Sequence, residues 1–170
     1  GLRLPRLPQR TVVIDAPNVC VSHGRNKFFS SAGLRIAAEH FRAEGRRVIA
    51  FIPSHYLRPR WQDGDPKRTP DDVEALQALV DDGTLVLTPS QDYDDDYVLE
   101  YARRHDGLIL SNDMFRDHAD KVRREGQDRF GNFVAGQHER ATRAWLEEHC
   151  VTYTFVGDEL LVNPAFRGPR

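Results

Sequence analysis

Thr11-Val12-Val13-Ile14-Asp15-Ala16-Pro17-Asn18 is the stretch that decides the fold. Its first four residues are β-branched and uncharged, which reads as a short strand buried on both faces. Asp15 stops the apolar run at the rim of that core, and Asp15-Ala16-Pro17-Asn18 is expected as a turn. The pattern recurs along the chain. Arg47–Ile52 (RVIAFI) stops at Pro53-Ser54, Thr84–Leu87 (TLVL) at Pro89-Ser90, and Gly107–Leu110 (GLIL) at Ser111-Asn112-Asp113. A fifth strand is expected over Val151–Val156, with Leu160–Val162 as a short hairpin partner.

Helical patterns separate these runs. One helix is expected from Ser30/Ser31 to about Glu44, with Leu34, Ala37, Ala38 and Phe41 inward and Gly45 ending it. A second runs from Asp71 to about Val80, with Thr69 as cap, Pro70 at the first helical position and Val73, Leu76, Leu79 and Val80 inward. A third spans Asp94–Arg104, with Val98, Tyr101 and Ala102 inward. A fourth spans Gln137–His149, with Ala141, Ala144 and Trp145 as its apolar face. Residues 58–68 read as a polar loop, and 118–136 as a charged loop or loose helix. Strands alternating with helices predict an α/β fold: a central, mostly parallel five-stranded sheet with helices on both faces. The domain is expected over residues 11–163, with an arm at 1–10 and a tail at 164–170.

With 170 residues, 39% hydrophobic and 29% charged, the chain is the size and composition of one globular domain. No run approaches the roughly 20 apolar residues of a membrane span. Two cysteines, Cys20 and Cys150, exclude a disulfide scaffold and a Cys-rich zinc site, and the expected location is intracellular, cytoplasmic or organellar. The opening Gly1-Leu2-Arg3 lacks an initiator Met, which reads as a domain excised from a longer protein with further domains or subunits.

Net charge is −2, but its distribution is uneven. Residues 1–60 carry eleven Lys/Arg against three Asp/Glu; residues 61–120 carry five against sixteen. These could be two solvated faces, or a basic cradle beside clustered carboxylates.

In open α/β sheets, functional groups collect beyond the carboxyl ends of the strands. Asp15 and Asp113 stand there, and a third strand end leads to Asp94-Asp95-Asp96. If the first and fourth strands are neighbours, these acids converge and require countercharge. A hard divalent ion, Mg²⁺ or Mn²⁺, suits oxygen ligands. No His accompanies them in a zinc-like spacing. Such a metal polarises a phosphoryl group and lowers the pKa of an attacking water, which is phosphodiester chemistry. Asn18 is placed to hold that water or a phosphate oxygen, and Ser111 and Asn112 to bond phosphate or brace the ligands. Asp117 is a candidate outer carboxylate. Plainer roles exist for each: Asp15 as an Asx-turn cap, Asp94 and Asp95 as acids at a helix start, Asn18 as a turn residue, Asp117 as the partner of Arg116.

Other phosphate chemistries fit worse. The chain has no G-x-x-x-x-G-K-[ST] or G-x-G-x-x-G, its first strand ends D-A-P-N rather than D-x-D-x-T, and no Ser or Cys sits in a nucleophile elbow. RNA contacts are expected from Arg25, Lys27, Arg58, Arg60 and Arg116, with Trp61 stacking on unpaired bases. Of Phe28 and Phe29, one is expected in the core.

Five ordered blocks carry a family resemblance: V-I-D-A-P-N-V-x-x-S-H-G (Val13–Gly24), F-x-P-S (Phe51–Ser54), L-x-L-T-P-S (Leu85–Ser90), Y-D-D (Tyr93–Asp95) and D-G-x-x-x-S-N-D-x-x-R-D (Asp106–Asp117). Together they resemble the NYN-type PIN-like ribonuclease domain of the Regnase/MCPIP (zinc-finger CCCH ribonuclease) family and its NYN relatives. Tyr153–Pro169 adds a weaker match. The resemblance implies a Rossmann-like PIN/NYN domain and a Mg²⁺- or Mn²⁺-dependent endoribonuclease acting on single-stranded or stem-loop RNA. It matches the family's metal-site acids to Asp15, Asp94, Asp95 and Asp113, its site Asn to Asn18 and its trailing acid to Asp117.

Three departures stand out. Ala16-Pro17 replaces the family's Gly-Ser, its basic loop shrinks here to Gln91-Asp92, and residues 118–136 are longer and carry Lys121, Arg123, Arg124 and Arg129. No CCCH finger follows. The expected partner is RNA, a homodimer is compatible, and a membrane is not expected. The rival reading is a non-catalytic RNA-binding or scaffold module that keeps the fold.

Overall fold

A computed structural model of the protein describes residues 9–58, 64–90, 94–113 and 136–169. The elements are β1 (Val12–Asp15), α1 (Ala16–His23), α2 (Ala32–Ala43), β2 (Val48–Pro53), a 3-10 turn (Ser54–Leu57), α3 (Val73–Asp81), β3 (Leu85–Thr88), α4 (Asp94–His105), β4 (Leu108–Leu110), α5 (Gly136–His149), β5 (Cys150–Val151), β6 (Tyr153–Val156) and β7 (Glu159–Val162). The central sheet has the order β3-β2-β1-β4-β5, and all four pairings are parallel. β1 and β4 are therefore neighbours, and the strand order reverses between them. That reversal is the place where such sheets open a binding crevice.

Alternation along the strands assigns the two faces. Val12 and Ile14, Ala50 and Ile52, and Leu108 and Leu110 pack under α1, α2, α3 and the β6–β7 hairpin. Val13, Phe51 and Ile109 point the other way, under Val98, Leu99 and Ala102 of α4 and Leu146 of α5. The parity continues past the strand ends. Asp15 shares the face of Val13, and Ser111 shares the face of Ile109.

Four sequence expectations need correction. Residues 15–18 are not a free turn: α1 starts immediately after Asp15, with Pro17 in its first turn. Proline is tolerated there because that N–H has no intrahelical acceptor. Helix α3 starts at Val73 rather than Asp71 and is capped by Asp72, which accepts from Ala75 N at 3.0 Å; Thr69 instead donates to Asp65 O, and Pro70 bridges to Phe29. Of its expected inward residues only Leu76 is fully buried; Val73, Leu79 and Val80 are half-buried.

The apolar face of α5 is also different. Ala141 and Ala144 are exposed, whereas Thr142, Leu146 and His149 are buried and Trp145 is half-buried. His149 tolerates burial because its ring nitrogens lie 2.7 Å from Trp145 O and 2.9 Å from Asp106 Oδ1.

The expected strand Val151–Val156 is two strands. β5 ends at Val151 beside β4, and β6 leaves to pair antiparallel with β7 in a separate two-stranded sheet. Asn112 makes the break possible. Its side-chain amide donates to Tyr153 O and accepts from Tyr153 N, both at 3.0 Å, replacing the ladder bonds that a longer β4 would supply. The C-terminal segment is packed against the domain: Phe166 lies on the core, and Arg10 Nη1 donates to Pro169 O.

Candidate active site

Asp15 closes β1 at the crevice and is 6% exposed. It occupies the N-cap position of α1 but makes no capping hydrogen bond, so the Asx-turn reading does not describe it. Its Oδ2 instead accepts from Ser111 Oγ at 3.2 Å. The same hydroxyl accepts from Asp113 N at 3.1 Å, so one buried serine links Asp15 to the chain at Asp113. Ser111 is fixed in turn by its backbone N–H, which donates to Val151 O.

Asn18 lies one turn into α1. Its Oδ1 accepts from Asn112 N at 3.0 Å and from the Tyr153 hydroxyl at 2.7 Å. A backbone N–H can only donate, so this contact fixes the amide's orientation and turns Nδ2 away from both partners. Asn18, Asn112 and Tyr153 thus tie α1, the end of β4 and the start of β6 together beside the acids. Sequence reasoning misses Tyr153, because a tyrosine inside an apolar run reads as core. The available signal is its hydroxyl, which needs a partner when buried.

Asp94 and Asp95 are placed by the course of the backbone. The connection from β3 to β4 is a parallel crossover, so α4 starts at the same strand-end rim where Asp15 and Asp113 stand. Its later residues Val98 and Leu99 pack on the sheet face to which Asp15 belongs. Two helix N-termini, of α1 and α4, thus border this rim, and helix N-termini favour negative charge. Among the described residues, no group of three or more His, Cys, Asp or Glu is gathered as a metal cage. Arg60, Trp61, Arg116, Asp117 and the 118–135 stretch lie outside the described residues.

The local electrostatics exclude a thiolate. Burial pushes the Cys150 thiol up to about 12, with the Asp113 carboxylate adding to the effect. Burial raises the Cys20 thiol and the Tyr153 phenol further, and Asp15 contributes to both. Near neutral pH the thiols stay protonated and Tyr153 remains a hydrogen-bond donor. Five histidines are occupied elsewhere: His23 with Ser30 and Asp158, His149 with Trp145 and Asp106, His40 with Glu44, and His55 and His105 stacked on Tyr56 and Tyr101.

Three of the expected RNA-contact residues are described, and all three are exposed. Arg25 and Lys27 are exposed in the α1–α2 connection, and Arg58 is exposed after the 3-10 turn. These two segments meet where Phe29 packs against Tyr56, ring centroids 5.3 Å apart. Phe29 is fully buried and Phe28 is 42% exposed, as one core phenylalanine of the pair requires. Ser54 and Ser90, at the ends of β2 and β3, bond each other at 2.9 Å and so serve the fold.

A five-stranded parallel sheet of this order, with carboxylates at its switch point, is the architecture of a PIN-like nuclease domain. The chain belongs to the Zc3h12a-like ribonuclease NYN domain family, whose model matches residues 8–169. By family it is a domain of ribonuclease type. Two structures of nuclear protein-only RNase P 2 (PRORP2) from Arabidopsis thaliana share the fold, with TM-scores of 0.62 and 0.63 and 19% identity in each. The alignments cover 91% of this chain but 29% and 30% of those proteins, so the chain spans under a third of their length.

Proposed function

We propose that this domain is a divalent-metal-dependent endoribonuclease that hydrolyses single-stranded or stem-loop RNA, using Asp15, Asp94, Asp95 and Asp113 to hold Mg²⁺ or Mn²⁺. The observation that carries this reading is the Ser111 hydroxyl joining buried Asp15 to Asp113 at the β1/β4 switch point. The donor set fits such an ion: it is all oxygen, anionic, and on the rim where α4 begins with further carboxylates. When bound, the ion would supply Lewis-acid polarisation of the phosphoryl group and acidify a water.

The chain's own residues do the positioning. Ser111 fixes the Asp15 carboxylate, Asn112 and Tyr153 hold Asn18, and the Nδ2 of Asn18 is left to orient a phosphate oxygen or the attacking water. In-line attack by water leaves a 5′-phosphate and a 3′-hydroxyl. Arg25, Lys27 and Arg58, with Arg60, Trp61 and Arg116, would carry the incoming strand, and Asp117 would brace the acids. Incubating 5′-labelled unstructured RNA with the domain tests this. Cleavage that requires Mg²⁺ or Mn²⁺, stops in EDTA, yields 5′-phosphate ends and is slower on the duplexed sequence is expected. RNA binding without cleavage under these conditions would instead favour the non-catalytic module.

A further inference from the structure

A cleft of about 820 Å³ opens on the β5 side of the acids, away from the basic loops that follow β2. Asp113 lines it, together with Arg143, Glu147 and Glu148 of α5 and Phe166 and Arg167 of the C-terminal segment. Ser111 and Asp113 join this cleft to the acids, and the rest of its lining has no part in the proposed cleavage.

Its size is within the range of small-molecule sites, roughly 300–1,000 Å³. Its chemistry selects among the parts of an RNA strand. Three carboxylates against two guanidinium groups make a poor track for successive phosphates, which need net positive charge. An aromatic ring beside guanidinium planes suits a flat, uncharged heterocycle. We propose that this cleft is a subsite for one unpaired base of the nucleotide adjoining the scissile phosphate, with the base against Phe166 and Arg167 reaching that nucleotide's backbone. The proposal rests on the nuclease reading for the position of the scissile phosphate. It gives a physical reason for single-strand preference, because a base held in a duplex cannot enter a cleft of this kind.

The test is a binding series in EDTA with a fluorescent single-stranded 12-nucleotide RNA in which one abasic residue is walked along the strand. An abasic residue at one position beside the cut should weaken binding roughly tenfold, the scale of one base stacked on an aromatic. Repeating the series with Phe166→Leu and with exposed Arg167→Ala should shrink that penalty to about twofold, as coupled groups require. The Arg167→Ala arm decides the matter if Phe166→Leu loses its fold. A flat abasic series, or a penalty unchanged in both variants, overturns the subsite. Cleavage that survives EDTA or Asp15→Asn defeats the metal-nuclease reading instead and leaves the binding series to be judged on its own.

Discussion

Ser111 donates to one acid and accepts from the backbone of another, so a single hydroxyl fixes the relation between Asp15 and Asp113. Ser111→Ala should lower cleavage about 10–100-fold, the usual effect of removing a group that orients metal ligands. It should also cost about 1–3 kcal/mol of stability, since a buried carboxylate loses a donor; urea unfolding and initial rates on one preparation check both. Asp15→Asn should abolish cleavage while leaving the melting temperature unchanged or higher, because it relieves repulsion among neighbouring carboxylates. An inactive Asp15→Asn protein that was also unfolded would not support a chemical role. Asp15 and Asp113 are legible from sequence because each follows a buried strand. Tyr153 is not: its partner Asn18 is 135 positions away, and only the folded chain brings the two hydrogen-bonding groups together.

Helix α1 is hidden in the sequence by the proline and polar residues that make D-A-P-N look like a turn, although the same residues are allowed in a first helical turn. The α/β alternation is legible without it because α2, the crossover helix, carries the strong apolar periodicity. The break between β5 and β6 is illegible for a different reason: the apolar run is continuous through Thr152, and the interruption is made by Asn112 from another element. The packing of α1 on α2 makes a sharp prediction. A Cβ at Gly33 would lie 2.6 Å from His23 Cβ, so Gly33→Ala forces the helices apart. The roughly 1 kcal/mol gained in helix propensity is outweighed by overpacking of about 1–3 kcal/mol, and the urea midpoint should fall. Asp106, at the end of α4, is hydrogen-bonded by His149 and Arg10, and these partners hold its carboxyl below the ordinary value of 3.8. A depressed folded pKa stabilises above the unfolded value and loses that stabilisation as pH falls through the folded one. Asp106→Asn should therefore lower the melting temperature at pH 7, and the gap to the parent protein should narrow below about pH 3.8.

Across the molecule, a net charge of −2 conceals a basic first third and an acidic middle third of the sequence, and of the basic residues Arg25 and Arg58 are exposed in loops. RNA affinity should fall with added salt. Neutralising Arg25 and Arg58 together should weaken binding to all sequences alike and reduce the salt slope by about 0.7 for each phosphate no longer neutralised. Unchanged affinity would move the strand to another face. The central claim concerns the acids themselves, and diffraction from Mn²⁺-soaked crystals of the domain, recorded at the manganese edge, tests it most directly. An anomalous peak shared by the carboxylates of Asp15 and Asp113 at the start of α4 is the expected result. Manganese bound elsewhere, with that rim empty at a concentration that supports cleavage, would contradict it.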